Sequence, residues 1–472
     1  MKEEKNETKG DSDMRLTVET RYGKVRGVNC GSTRVFRGIP YAAAPVGNRR
    51  WKAPIEPAPF AGVFEADTFA PMSIQAAQNP DGSQIGFNYG KEFYSDSKFL
   101  PPMSEDCLYL NIWTPADAKP GDGLPVGFYI HGGAFIGGFG SEKEFDGEGF
   151  AQRGIILVTI NYRLGALGFL AHPWLSAEEG SGGVSGNYGI LDQIAALRWV
   201  YDNISAFGGE PSNITVFGQS AGCMSTQVLV SSDLTDHMIA KAILQSGVSC
   251  EANILLTPSL SEESDFGEKF VNMALRESGY REEDLSPEEG LKSLRSISPE
   301  KMLEIQGHFL EECFRDGSGL CLVPCVDGMV LKKSVREVYR EGTMKKIPYM
   351  TGFVKNDIGQ TPEDAAGGRA GVIEDECRRW SEKAAASAGC PTYMYAFLHD
   401  LPGDGSGAFH SSELWYMFET LGRCWRPMTD EDMKLADEMS DCWASFMKTG
   451  VPDPEKKSWE PYSEGAFVKE FL

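Results

Sequence analysis

The sequence predicts an α/β fold, a largely parallel sheet covered by helices on both faces, and three observations carry that expectation. Short β-rich runs alternate with helix-compatible segments through the middle of the chain, the pattern that yields parallel strands joined by helical crossovers. The run Ile155-Ile156-Leu157-Val158-Thr159-Ile160 is apolar on both faces, as a strand inside such a sheet must be. The heptapeptide Val216-Phe217-Gly218-Gln219-Ser220-Ala221-Gly222 holds the chain's single Gly-x-Ser-x-Gly, set between a β-rich run and a helix-compatible one, where a serine is presented at a sharp strand-to-helix turn.

Leu16-Thr17-Val18-Glu19-Thr20 and Gly23-Lys24-Val25-Arg26-Gly27-Val28 alternate polar and apolar residues about a short turn, which predicts an antiparallel edge hairpin. Prolines and glycines from Phe36-Arg37-Gly38-Ile39-Pro40-Tyr41-Ala42 to about residue 103 predict irregular surface structure. Strands are expected at Leu108-Tyr109-Leu110-Asn111-Ile112-Trp113, at Val126-Gly127-Phe128-Tyr129-Ile130 and at the Ile155 run. Ile194, Leu197 and Val200 recur at helical spacing and predict a helix from Ile190 to Tyr201. The elbow strand Ile214 to Phe217, a helix after Ser220 and a strand at Ala242-Ile243-Leu244 complete this block. Residues from about 258 to 345 are acidic and helical in pattern, with a capping signal at Ser298-Pro299-Glu300, and are expected to form a cap or lid. Strands return at Ile347-Pro348-Tyr349-Met350-Thr351 and Thr392-Tyr393-Met394-Tyr395-Ala396-Phe397. A final amphipathic helix is expected from about Asp430 to Lys448, with Met433, Ala436, Met439, Trp443 and Phe446 on one face.

A hydrophobic content of 41% and a charged content of 24% suit a chain that buries a large core, and no linker divides residues 15–472, which are expected to form one domain. Residues 1–14 are polar without an apolar stretch; they resemble neither a secretory signal nor a transit peptide and are expected to be a disordered extension. The formal charge of −23 argues against nucleic acid and anionic membrane surfaces as partners. No apolar run reaches the roughly 18 residues of a membrane span, so no membrane anchor is expected. Eleven scattered cysteines fit reduced thiols and a cytoplasmic location. Cys321-x-x-x-Cys325 lacks a second pair at zinc spacing, and neither a metal nor an organic cofactor is expected.

A serine hydroxyl becomes a nucleophile when a base takes its proton, and that base is normally a histidine oriented by a carboxylate. Six histidines are available. His131, in Ile130-His131-Gly132-Gly133-Ala134-Phe135, follows a strand and belongs to a glycine loop of the kind that builds an oxyanion hole, so it is read as part of that loop and not as the base. His172, His237 and His308 have no strand-end context. His399 and His410 both follow the Thr392 strand, where the order serine, acid, histidine of α/β hydrolases puts the base, and spacing does not separate them. The acid is expected just beyond a strand at Asp357, with Glu363 and Asp364 as rivals.

Four motifs in order resemble those of type B carboxylesterases, the family of bacterial para-nitrobenzyl esterases and the cholinesterases: Ser104-Glu105-Asp106-Cys107-Leu108-Tyr109-Leu110-Asn111, His131-Gly132-Gly133-Ala134-Phe135, Gly186-Asn187-Tyr188-Gly189-Ile190-Leu191-Asp192-Gln193 and Gly218-Gln219-Ser220-Ala221-Gly222. The resemblance runs from about residue 16 to the C-terminus. It implies an α/β-hydrolase fold and favours His410, which precedes the acidic and aromatic Glu413-Leu414-Trp415, over His399. It implies Asp357 as the acid and the amides of Gly132, Gly133 and Ala221 as the oxyanion hole. It further implies structural ion pairs Arg50 with Glu105 and Arg163 with Asp192, and support of the site by Gln219, Ser246 and Glu413.

The chain also departs from the family pattern. Phe69-Ala70-Pro71-Met72 stands where secreted relatives place the partner of the cysteine equivalent to Cys107, so that disulfide is expected to be absent. The stretch between Asp357 and the Thr392 strand is short, which would open part of the gorge wall. Gln219 is neutral where cholinesterases carry glutamate, which removes a support for quaternary ammonium substrates. The expected activity is hydrolysis of small to medium, mostly uncharged carboxylic esters through an acyl-enzyme, by a monomer or weak homo-oligomer. The alternatives are the same machinery turned to aromatic esters, thioesters or amides, and a non-catalytic binding protein on this scaffold.

Overall fold

The computed structural model describes residues 16–76, 89–252, 257–455, 458–462 and 466–472, and the extension expected over residues 1–14 lies outside them. Strands β1 (Thr17–Thr20), β2 (Gly23–Arg26), β3 (Val28–Cys30), β4 (Thr33–Pro40), β5 (Val63–Glu65), β6 (Tyr109–Pro115) and β7 (Leu124–Ile130) are followed by β8 (Ile156–Ile160), β9 (Gly209–Gln219), β10 (Lys241–Gln245), β11 (Tyr349–Val354), β12 (Thr392–Phe397) and β13 (Lys469–Phe471). A ten-stranded sheet runs β13-β12-β11-β10-β9-β7-β8-β6-β4-β3, and a small sheet β1-β2-β5 stands apart from it. From β8 through β13 every neighbouring pair is parallel, whereas β3, β4, β6 and β8 pair antiparallel.

Alternation along the central strands divides the core between the two faces of the sheet. Val126, Phe128 and Ile130 of β7, Val216 of β9 and Leu244 of β10 enter one apolar cluster, while Tyr129, Phe217 and Ile243 from the same strands enter the other. Successive side chains of a strand point to opposite faces, so a sheet covered twice needs apolar residues at every position. Helix Tyr188–Asn203 packs on the first face and helix Asp430–Thr449 on the second.

The excursion between β10 and β11 is helical because serines start its helices. Ser259, Ser286 and Ser334 form capping boxes with Glu262, Glu289 and Glu337 at the heads of helices Leu260–Glu277, Pro287–Ser296 and Val335–Glu341. Ser298 caps helix Pro299–Arg315 by accepting from the Lys301 amide. All eleven cysteines are free thiols, Cys107 included.

The structure corrects several expectations. β4 runs into the stretch where irregular structure was expected, and Val28, expected to end the second hairpin strand, opens β3 instead. At Gly38 φ is +68° and the register shifts between Phe36 and Ile39, so a bulge interrupts the strand's alternation; only glycine enters that conformation without strain. β11 begins at Tyr349, not Ile347, and β13 carries no sequence signal strong enough to announce it. Met433, expected with the apolar face of the last helix, is 49% exposed.

Candidate active site

Parallel strands deliver their C-terminal ends to one edge of the sheet, and three loops leaving that edge carry the site. Ser220 directly follows β9, Asp357 lies beyond the end of β11, and His410 follows β12. Ser220 has φ +57° and ψ −125°, a conformation that costs a side-chain-bearing residue about 1–3 kcal/mol. Its amide is held by Gln245 O at 2.9 Å, and helix Ala221–Ser231 starts at the next residue with no side-chain cap. The close approach behind the serine demands glycine: a Cβ on Gly222 would sit 2.0 Å from Ile130 O, and one on Gly218 would sit 2.5 Å from the Gly222 carbonyl carbon.

The acid and histidine loops run side by side, because the Asn356 amide donates to Ala408 O at 2.9 Å. His410 Nδ1 lies 2.6 Å from Asp357 Oδ1, and both side chains are buried. Asp357 also accepts from the amides of Ile358 at 2.9 Å and Val354 at 3.2 Å, bonds that fix its carboxylate in place. A carboxylate only accepts, so Nδ1 of His410 bears the proton and Nε2 the lone pair. That lone pair meets the Gln219 carboxamide, whose Nε2 is 3.1 Å away.

The glycine loop lies against the elbow, where a Cβ built on Gly132 would come within 3.1 Å of Ser220 Cβ. Among the described residues, the amides of Gly132, Gly133 and Ala221 donate to no other protein group. They are unpaired donors in the glycine loop and at the start of the helix that follows Ser220, whose N-terminal end carries partial positive charge. His131 is locked into this loop: its Nδ1 is 2.8 Å from Gly132 O, its ring stacks on Tyr162 at 4.4 Å, and burial pushes its pKa down to about 4. It is therefore neutral at physiological pH.

His399 is drawn to a different carboxylate, Asp432, at 2.8 Å. Of the rival acids, Asp364 caps its own helix through Thr361, and Glu363 lies exposed in the same short helix. Arg50 makes a bidentate pair with Glu105 at 2.7 and 2.6 Å and also donates to Leu294 O and Ile297 O, tying the N-terminal segment to the excursion. Arg163 and Asp192 pair through two bonds of 2.7 Å. Ser246, beside the elbow, has φ +48° and a buried hydroxyl that finds no partner among the described residues. Glu413 is fully buried with both oxygens unpartnered among those residues; burial, reinforced by the charge of Asp357, pushes its pKa up to about 8.

Two supports escaped sequence reasoning. Tyr89 reaches from helix Tyr89–Phe93 to His410 O at 2.5 Å and Ser411 Oγ at 3.0 Å, and Ser411 Oγ donates to Gln219 Oε1 at 3.0 Å. Glu92 of the same helix is a buried acceptor for Trp415 Nε1 (3.0 Å), Trp425 Nε1 (2.7 Å) and Arg426 Nε (3.0 Å), which braces the histidine loop. The available signal was the acidic and aromatic composition near residue 90, but nothing local paired it with residues more than three hundred positions away.

A serine at a strained strand-to-helix turn, with a hydrogen-bonded histidine and aspartate on loops of the same sheet edge, defines a serine hydrolase of the α/β-hydrolase fold. Comparison with known proteins narrows the class. The model of the carboxylesterase family matches residues 14–376 and 372–469. A fumonisin B1 esterase of Sphingopyxis macrogoltabida is 33% identical, over 96% of this chain and 85% of that protein. The para-nitrobenzyl esterase of Bacillus subtilis is 32% identical, over 95% and 92%. Among solved structures, a para-nitrobenzyl esterase superposes with a TM-score of 0.79 at 28% identity, covering 97% of this chain and 96% of that one. A Geobacillus stearothermophilus carboxylesterase gives 0.75 at 33%, covering 96% of each. The chain belongs to the carboxylesterase family, and it is an enzyme that hydrolyses carboxylic esters.

Proposed function

We propose that Ser220, His410 and Asp357 are the catalytic triad of this esterase, acting on small to medium, mostly uncharged esters. The observation that carries the reading is the buried 2.6 Å bond between Asp357 and His410 at the sheet edge that also presents Ser220. Ser220 Oγ attacks the ester carbonyl as His410 Nε2 takes its proton, while Asp357 holds Nδ1–H and stabilises the imidazolium. The tetrahedral oxyanion accepts from the amides of Gly132, Gly133 and Ala221; one such donor is typically worth about 100-fold or more in rate. The alcohol leaves with the proton from His410, water attacks the acyl-enzyme by the same base, and the acid departs. Neutral Gln219 beside the nucleophile and the overall charge of −23 support an uncharged substrate. The eleven free thiols support a cytoplasmic setting, and the proposal includes a monomer or weak homo-oligomer, which sedimentation would test.

The test is hydrolysis of para-nitrophenyl esters from acetate to laurate by the wild type and by Ser220→Ala, His410→Ala and His399→Ala. The first two lose activity by several orders of magnitude and His399→Ala keeps it. Full activity in Ser220→Ala sinks the mechanism, and a dead His399→Ala beside an active His410→Ala reverses the choice of base.

A further inference from the structure

The lone pair that must take the Ser220 proton is already engaged. Its partner is Gln219 Nε2 at 3.1 Å, and the carboxamide cannot turn freely because its oxygen accepts from Ser411 Oγ at 3.0 Å. Ser411 has φ +76°, a left-handed conformation that a serine holds only when its surroundings demand it. Its hydroxyl has one proton and two acceptors within reach, Gln219 Oε1 and Tyr89 Oη, each at 3.0 Å. Tyr89's own proton goes to the nearer His410 O at 2.5 Å, which leaves Oη free to accept.

We infer that Gln219, oriented by Ser411 and Tyr89, is a latch on the His410 imidazole: with the Ser411 proton on Gln219 the latch is closed, and with it on Tyr89 the carboxamide turns away and Nε2 is released to Ser220. The three are positioning residues, and the inference rests on the reading of His410 as the general base. An amide N–H on the lone pair stabilises the neutral imidazole against the protonated one, so closing the latch makes the base weaker and opening it makes it stronger. The ionisable groups facing this cluster are Asp357 beyond β11, Glu413 on the histidine's own loop, Tyr89 on helix Tyr89–Phe93 and Glu144 in the stretch after β7. Burial holds the Tyr89 phenol well above its ordinary range, so it stays a proton donor to His410 O throughout the working pH.

The readout is the acid limb of the kcat/KM profile for para-nitrophenyl butyrate, which reports the free enzyme's base. Gln219→Met removes the donor, and Ser411→Ala removes the group that aims it. Each moves the limb up by about half a pH unit, the scale of one neutral hydrogen bond. The double variant moves it no further than the larger single shift, because both act on one bond. Tyr89→Phe leaves Ser411 with Gln219 as its acceptor and moves the limb down. Ser411→Ala changes one hydroxyl and keeps the test alive if Gln219→Met fails to fold. An unmoved limb in both latch variants, additive shifts in the double variant, or an upward shift in Tyr89→Phe overturns the latch. His410→Ala at wild-type activity overturns instead the triad on which it rests.

Discussion

Replacing Glu413 by glutamine removes a buried ionisable group without changing its shape, and the effect on stability follows from where that carboxyl sits. Burial, with no partner for its oxygens among the described residues and with the charge of Asp357 nearby, raises its pKa in the folded protein from 4.5 to about 8. At about 1.4 kcal/mol per unit, charging it inside the fold costs about 5 kcal/mol relative to charging it in the unfolded chain. The folded value lies above the unfolded one, so the contribution to stability is fully present below pH 4.5 and is lost as pH rises through about 8. Glutamine carries no such dependence. Urea unfolding of the wild type and Glu413→Gln at pH 5, 7 and 9 measures the difference directly. The variant gains on the wild type by several kcal/mol between pH 5 and pH 9, with most of the gain in place by pH 8. A difference independent of pH refutes the assignment of a neutral, unpartnered Glu413.

Glu263 is a second buried carboxyl, its pKa raised by burial to about 7, so Glu263→Gln shows the same sign with a smaller gain, about 3 kcal/mol, complete near pH 7 in the same urea series. His399→Ala leaves esterase activity within about twofold but lowers the thermal midpoint by a few degrees, because Asp432 loses one of its partners while keeping Tyr416 at 2.6 Å. Gly222→Ala forces a methyl onto Ile130 O; circular dichroism is expected to show a fold weakened by more than 3 kcal/mol or lost, and an active, stable variant would contradict the tight packing behind the nucleophile.

What could be read from the sequence was what short-range pattern encodes. β8 announced itself because both of its faces are buried, and Ser220 because its elbow requires small residues on either side within five positions. β4 did not, since the bulge at Gly38 breaks the alternation a strand is recognised by. Met433 is exposed although it shares the helical spacing of the buried residues, because spacing alone does not reveal whether a partner covers a side chain. His399 and His410 follow the same strand, and the distinction between them lies in which carboxylate each meets, Asp432 or Asp357, one downstream and one upstream in the chain. Gln219 read as a missing charge, and its contacts explain why its other role was hidden: its partners His410 and Ser411 are 191 and 192 residues away.

The central claim, that Ser220 is the residue acylated during turnover, is tested most directly by covalent capture. Paraoxon, a para-nitrophenyl phosphotriester, reacts with the activated serine of an esterase and leaves a stable diethylphosphoryl group in place of the short-lived acyl group. Peptide mapping after stoichiometric inactivation is predicted to find that group on Ser220, with no labelling in Ser220→Ala and strongly slowed labelling in His410→Ala. Complete inactivation with Ser220 unmodified, or equal labelling of the His410→Ala enzyme, would contradict the account.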